Sequence, residues 1–175
     1  MEQEHFSPLP IIGFYQNPVP PKFLWEVVRI NEWYYYFRKL ADKLLEFIAE
    51  ETSASLYYQQ LAALAPGSGE KELLRKLAKD EARHAAYLRT VYRQITGRPG
   101  RVLPASPPSI DSYQGALRQR LFAESNDYLK YGDEFLTAPD MYLRCLFYKI
   151  GAAEAQHGMI LTILLSGSST GPALR

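Results

Sequence analysis

A chain of 175 residues with 47% hydrophobic content and a formal net charge of +1 is long enough to bury one core, and its balanced charge argues against a disordered or nucleic-acid-binding protein. Cys145 is the only cysteine, which excludes an internal disulfide and any Cys-x-x-Cys metal motif. The polar, acidic start from Met1 to Phe6 lacks the apolar segment of a signal peptide, and the longest apolar run, Met159 to Leu165, is far too short to span a bilayer. A cytoplasmic protein with neither membrane nor nucleic-acid partners is expected.

Residues 1–21 hold five of the twelve prolines, Pro8, Pro10, Pro18, Pro20 and Pro21, which rules out a helix and predicts an extended arm. Its Phe6, Phe14 and Tyr15 suit packing on the chain's own surface or on a neighbouring subunit. From Pro21 to Ala65, Trp25, Val28, Trp33, Tyr36, Leu40, Leu44 and Phe47 recur mostly three or four apart, and the pattern continues through Glu51, Ala54, Tyr58 and Leu61. That predicts a long first helix. Residues 1–37 form an arm and aromatic extension added to the main body. Trp25, Trp33, Tyr34, Tyr35 and Tyr36 are the candidate homodimer surface, although Trp33 and Tyr36 suit a core equally well.

Pro66 to Gly69 makes a turn, after which Leu74, Leu77, Glu81, His84, Leu88, Val91 and Ile95 form one stripe ending at Gly97. The interleaved Arg75, Lys76, Lys79, Arg83, Arg89 and Arg93 read as a solvated basic face. Residues 98–110, with Pro99, Pro104, Pro107 and Pro108, are too many for a tight hairpin. Extended, they reach roughly 45 Å, against roughly 42 Å for a 28-residue helix, so the link can run the length of a bundle. A third helix is predicted over 111–136, capped by Asp111 and carrying Leu117, Leu121, Glu124, Tyr128, Tyr131 and Phe135 inward. A fourth, over 140–165, carries Phe147, Ile150, Glu154, His157, Leu161 and Leu164, with Cys145 half-buried beside it. The body is thus residues 38–166, and 167–175 reads as a flexible tail.

The second half of this body repeats the first. Glu51, Tyr58, Pro66, Glu81 and His84 reappear 73 residues later as Glu124, Tyr131, Pro139, Glu154 and His157. Each copy is a Glu with a Tyr seven residues on, then a Glu-x-x-His on the following helix, and at about 100° per residue each pair shares one helix face. Packing the hairpins about a pseudo-twofold axis collects four carboxylates and two imidazoles at the centre. Four buried carboxylates are prohibitive unless compensated, and two divalent cations would cancel them. The oxygen and nitrogen donors, without thiolate, suit iron or manganese better than copper(I) or structural zinc.

With these residues in view, residues 38–165 resemble the ferritin-like superfamily and, within it, the small rubrerythrin-type proteins, whose bundle takes one Glu from each of two helices and a Glu-x-x-His from each of the other two. The resemblance implies an all-α, ferritin-like four-helix bundle with one long crossover between helices 2 and 3. It makes Glu51 and Glu124 the ligands on the first and third helices, Glu81 and Glu154 bridging ligands, and His84 and His157 terminal ligands of two iron ions. Tyr58 and Tyr131 would sit just outside, bonding ligand carboxylates and serving as electron or proton sources. Asp127 stands where rubrerythrins place a further carboxylate, and it fits direct ligation or an outer role equally. Glu50 is expected to face solvent, and Asp80 to support an imidazole, although Ala153 holds its matching position.

Rubrerythrins proper carry a rubredoxin-like module with paired Cys-x-x-Cys motifs, which these residues lack, so an external electron donor or ferrous ions must supply electrons. The leading expectation is a di-iron oxidoreductase meeting dioxygen or hydrogen peroxide, as a ferroxidase or peroxide scavenger. A di-manganese, catalase-like enzyme uses the same ligands, a hydroxylase would need an apolar pocket, and an interaction or coat protein would work through the aromatic extension.

Overall fold

The computed structural model describes residues 24–101 and 109–167, with side chains from Glu32 onward. Four helices account for nearly all of them: α1 (Leu24–Leu64), α2 (Ser68–Thr96), α3 (Tyr113–Thr137) and α4 (Met141–Gly167). The all-α expectation holds. The chain divides into two compact units, Met1–Tyr35 and Tyr36–Arg175. In the first, the described side chains include Trp33, Tyr34 and Tyr35, all exposed at the start of α1. The arm over residues 1–21, the Trp25 side chain and the tail from 168 lie outside the described residues.

In the second unit the helix ends follow local chemistry. Glu70 reaches back to accept the Gly67 N–H at 2.9 Å, satisfying an amide that the start of α2 would otherwise leave open. Gly97 closes the same helix at φ +69°, where its N–H meets the Arg93 carbonyl at 2.8 Å. The third helix is capped by Ser112, not by Asp111 as expected: the Ser112 hydroxyl accepts the Gly115 N–H at 3.1 Å, one position nearer the first turn. Asp140 receives the Leu143 N–H at 3.0 Å as α4 begins, just past Pro139.

Side-chain bonds fix the helix directions. Lys43, Glu51 and Tyr58 of α1 meet Glu134, Tyr131 and Glu124 of α3, so partner numbers fall as α1 rises and the two helices run antiparallel. The short turns make α1–α2 and α3–α4 antiparallel hairpins as well, which leaves α2 and α3 pointing the same way. A connection between parallel helices must return along the bundle. Gly100 lies against Ile48 and Tyr92, whereas Ile110 and Tyr113 pack with Leu61 and Leu74 in the other core cluster, so the link does cross from end to end. Its middle, 102–108, lies outside the described residues.

The core is two apolar clusters. One gathers Leu44, Leu88, Tyr131, Phe147 and Ile150, and the other Leu117, Leu161, Tyr58, Leu74 and Leu77. Each of these five residues of the first is 73 residues from one of the five named in the second, so the sequence repeat is realised as an internal twofold that relates the clusters. Burying each of these side chains contributes about 1.5–3 kcal/mol. Gly151 admits a close approach of α3 and α4, since a Cβ there would stand 3.3 Å from the Tyr131 Cβ.

Two further expectations need correction. Cys145 is exposed, because two residues before Phe147 amounts to about 200° around the helix. Tyr128 is 50% exposed, at the edge of the α3 stripe. The basic residues of α2 are mostly exposed as expected, with Arg89 tied to Thr52 at 2.8 Å. Among the described residues no helix is long and apolar enough to cross a membrane.

Candidate metal centre

Between the two apolar clusters, one turn of each helix faces the bundle axis. The Leu77–Glu81–Leu88 stripe of α2 and its counterpart Ile150–Glu154–Leu161 of α4 carry Glu-x-x-His inward, so each histidine sits one turn beyond its glutamate. Glu51 on α1 and Glu124 on α3 complete the ring. All six side chains are buried, Glu124 completely.

The donor atoms converge as two sets of four. Glu51, Glu81, His84 and Glu154 each place one donor within 4.8 Å of the others, and so do Glu81, Glu124, Glu154 and His157. Glu81 and Glu154 belong to both sets. The His84 Nδ1 lies 2.9 Å from Glu154 and 3.5 Å from each of Glu51 and Glu81. The His157 Nδ1 lies 3.0 Å from Glu154, 3.1 Å from Glu81 and 3.2 Å from Glu124. The two imidazole rings are near-parallel, 22° apart in plane with centroids 5.8 Å apart.

Close as these atoms are, several lack hydrogen-bond geometry. Glu81 Oε1, both Glu154 oxygens and the His84 Nδ1 are buried without a hydrogen-bond partner. Orphaned donors and acceptors cost about 1–3 kcal/mol each, more when charged, and a native core tolerates them where something else satisfies them. Two buried four-donor sets that share Glu81 and Glu154 fit a pair of divalent cations.

The outer partners are reciprocal. Tyr58 of α1 donates to Glu124 Oε1 at 2.6 Å, and Tyr131 of α3 donates to Glu51 Oε1. Each terminal carboxylate thus has one oxygen occupied by a phenol and Oε2 turned toward a histidine. Burial, then the neighbouring carboxylate, pushes both tyrosine hydroxyls well above their ordinary pKa, so they stay protonated donors.

Electrostatically the halves differ. Burial lifts the Glu51 carboxyl to about 7. Burial also works on Glu124, but the His157 hydrogen bond and the Arg120 charge outweigh it and bring that carboxyl down to about 2. Burial opposes charge on both imidazoles, yet the surrounding carboxylates raise His84 to about 11 and His157 to about 12.

Arg120, one turn before Glu124, is a residue that repeat logic passes over. Its guanidinium ion-pairs with Glu124 Oε1 and lies 5.0 Å from the centroid of the Tyr58 ring. The equivalent position in the first half is Phe47, which packs edge-on against Tyr131 at 5.5 Å. A cation without a counterpart in the repeat leaves no signal except its i,i+4 spacing to a ligand.

Asp127 joins neither donor set. It pairs with Lys130 at 2.6 Å, and Lys130 also holds Glu50 at 2.7 Å, so the latter is 57% exposed yet tethered. Asp80 reaches toward the imidazole of the opposite hairpin, 3.7 Å from His157 Nε2, and also pairs with Arg83. A cleft of about 520 Å³ between α1 and α3 has Glu51 and Arg120 in its lining along with the small Ala49, Ala54 and Ala123.

The rubrerythrin family model matches this chain over residues 42–165, which includes all six donors. No curated protein and no solved structure matches it.

Proposed function

The chain belongs to the rubrerythrin family, and from that premise we propose that it is a binuclear non-haem iron oxidoreductase that oxidises ferrous iron with dioxygen or hydrogen peroxide. The observation that carries this reading is the sharing of Glu81 and Glu154 between two four-donor sets. A ferrous pair held there would supply the two electrons that the reduction of one hydrogen peroxide to two waters requires, with two protons taken up.

The protein's own part is positioning. Glu81 and Glu154 span the two positions, Glu51 and Glu124 offer Oε2 because Oε1 is held by a tyrosine, and His84 and His157 offer Nδ1. Burial removes competing water from the donors, which strengthens their hold on cations. The Tyr58 and Tyr131 hydroxyls keep a proton one hydrogen bond away from a terminal carboxylate. With no Cys-x-x-Cys pair among the 175 residues, repeated turnover draws electrons from an external donor or from fresh ferrous ions.

The test is anaerobic loading with ferrous iron, desalting and metal analysis of the wild type and of a Glu81→Ala, Glu154→Ala double variant, followed by addition of each oxidant. Two irons per chain, lost in the double variant, with an optical change on oxidation, is the expected result. Retained iron without any change on either oxidant would sink the oxidoreductase reading. Preferential retention of manganese, with gas evolved from peroxide and no reductant added, would replace it with a catalase-like one.

A further inference from the structure

Arg120 breaks the symmetry of the centre on the Glu124–His157 side, where the other unmatched charge, Asp80, is itself paired with Arg83. Its guanidinium contacts Glu124 Oε1 on the side away from His157, is 85% buried at the side chain, and covers the face of the tyrosine that bonds the same oxygen. The repeat-equivalent position offers the uncharged ring of Phe47. Lys130, the cation nearest Tyr131, stands 4.8 Å from that ring, but it is claimed by Asp127 and Glu50. One half of the donor set therefore faces a cation directed at its own ligand, and the other half faces a cation already neutralised.

We propose that Arg120 makes the two metal positions unequal: the Glu51–His84 position fills first and holds its ion tightly, and the Glu124–His157 position is the weaker, exchangeable one. This rests on the binuclear reading above. A permanent positive charge across one carboxylate from a divalent cation repels it, and the burial of Glu124 and of most of the Arg120 side chain weakens the screening of that repulsion. Glu81 and Glu154 are common to both positions and cannot create the difference. Arg120 acts through Glu124 and is a positioning residue.

Anaerobic titration with cobalt(II) alone, followed by its visible absorption, reads the two positions without turnover. The wild type is expected to bind in two steps. His84→Ala should lose the tight step, whereas His157→Ala should keep it. Arg120→Leu should tighten the second step by about tenfold or more with the first unchanged, since tenfold corresponds to only about 1.4 kcal/mol. Arg120→Lys, which keeps the charge, should retain the wild-type order.

A tight step lost in His157→Ala, or a second step unchanged or weakened in Arg120→Leu, overturns the proposal. Weakening would mean that Arg120 merely holds Glu124 in place. The histidine pair decides the order of filling even if Arg120→Leu fails to fold. No cobalt uptake by the wild type overturns the binuclear reading itself, and this proposal with it.

Discussion

Tyr131 donates its phenolic hydrogen to Glu51 across the bundle, and Tyr58 returns the arrangement to Glu124 at 2.6 Å. The two bonds tie α1 to α3 at equivalent levels of the internal twofold, and each reserves one carboxylate oxygen. Tyr131→Phe and Tyr58→Phe each remove a buried bond to a charged acceptor without leaving a cavity. Each is expected to cost about 1.5–3 kcal/mol in urea unfolding while metal stoichiometry stays at two. A cost below about 0.5 kcal/mol for both would show the phenols to be packing groups only.

Metal should stabilise the fold, because the donors lie on four different helices and the unfolded chain cannot gather them. Free cation at about 100 times its dissociation constant adds about 2.7 kcal/mol per site. The melting temperature of the wild type should rise on loading and fall back on chelation, while the Glu81→Ala, Glu154→Ala variant should show neither change. Calorimetry with and without chelator reads this directly.

The pH dependence follows from the histidines. Metal-free His84 and His157 have pKa values raised to about 11 and about 12 by their carboxylate neighbours against the opposing effect of burial. A raised pKa contributes stability that is fully present below the unfolded value of about 6.5 and is lost as pH climbs to the folded value. The metal-free protein should therefore weaken steadily as pH rises from about 6.5 toward about 11 to 12, as seen in denaturant midpoints. Metal affinity should move the opposite way, since each ion must displace an imidazolium proton. Loading near pH 7.5 is expected to release about two protons per chain, measured by calorimetry in buffers of different ionisation enthalpy. Release of none would mean that the imidazoles are already neutral.

Gly151 tests the helix contact that seats Tyr131. Alanine there gains helix propensity of up to about 1 kcal/mol but crowds the Tyr131 Cβ, so little net change is expected. Gly151→Leu should cost about 1–3 kcal/mol or more by overpacking and should also weaken metal retention, because displacing Tyr131 frees Glu51. Full metal affinity in a destabilised Gly151→Leu protein would show that the tyrosine's position is not what orders the carboxylate.

The location of the centre was legible in the sequence because its demands are periodic. A glutamate in a leucine stripe, repeated at a fixed offset with its histidine one turn on, leaves few arrangements that bury it at tolerable cost. The long crossover was legible for a similar reason, since thirteen residues rich in proline suit a traverse and not a turn. What escaped depends on the rotation of each helix about its own axis. Cys145 and Tyr128 fell on the wrong side of a burial boundary that a 3.6-residue period locates only coarsely. Arg120 escaped because it has no twin, and the pairing of Asp127 with Lys130 has no counterpart in the repeat to announce it. The cap at Ser112 in place of Asp111 is a shift of one residue between two good capping side chains, which composition does not resolve.

A bundle assembled from two identical hairpins would be obliged to treat both of its ions alike, since any residue altered on one side is altered on the other. Joining the hairpins by a crossover within one chain removes that obligation. Arg120 opposite Phe47, and Asp80 opposite Ala153, are where this chain has used the freedom. Division of labour between two chemically similar positions is thus open to a single polypeptide of this fold and closed to a symmetric pair.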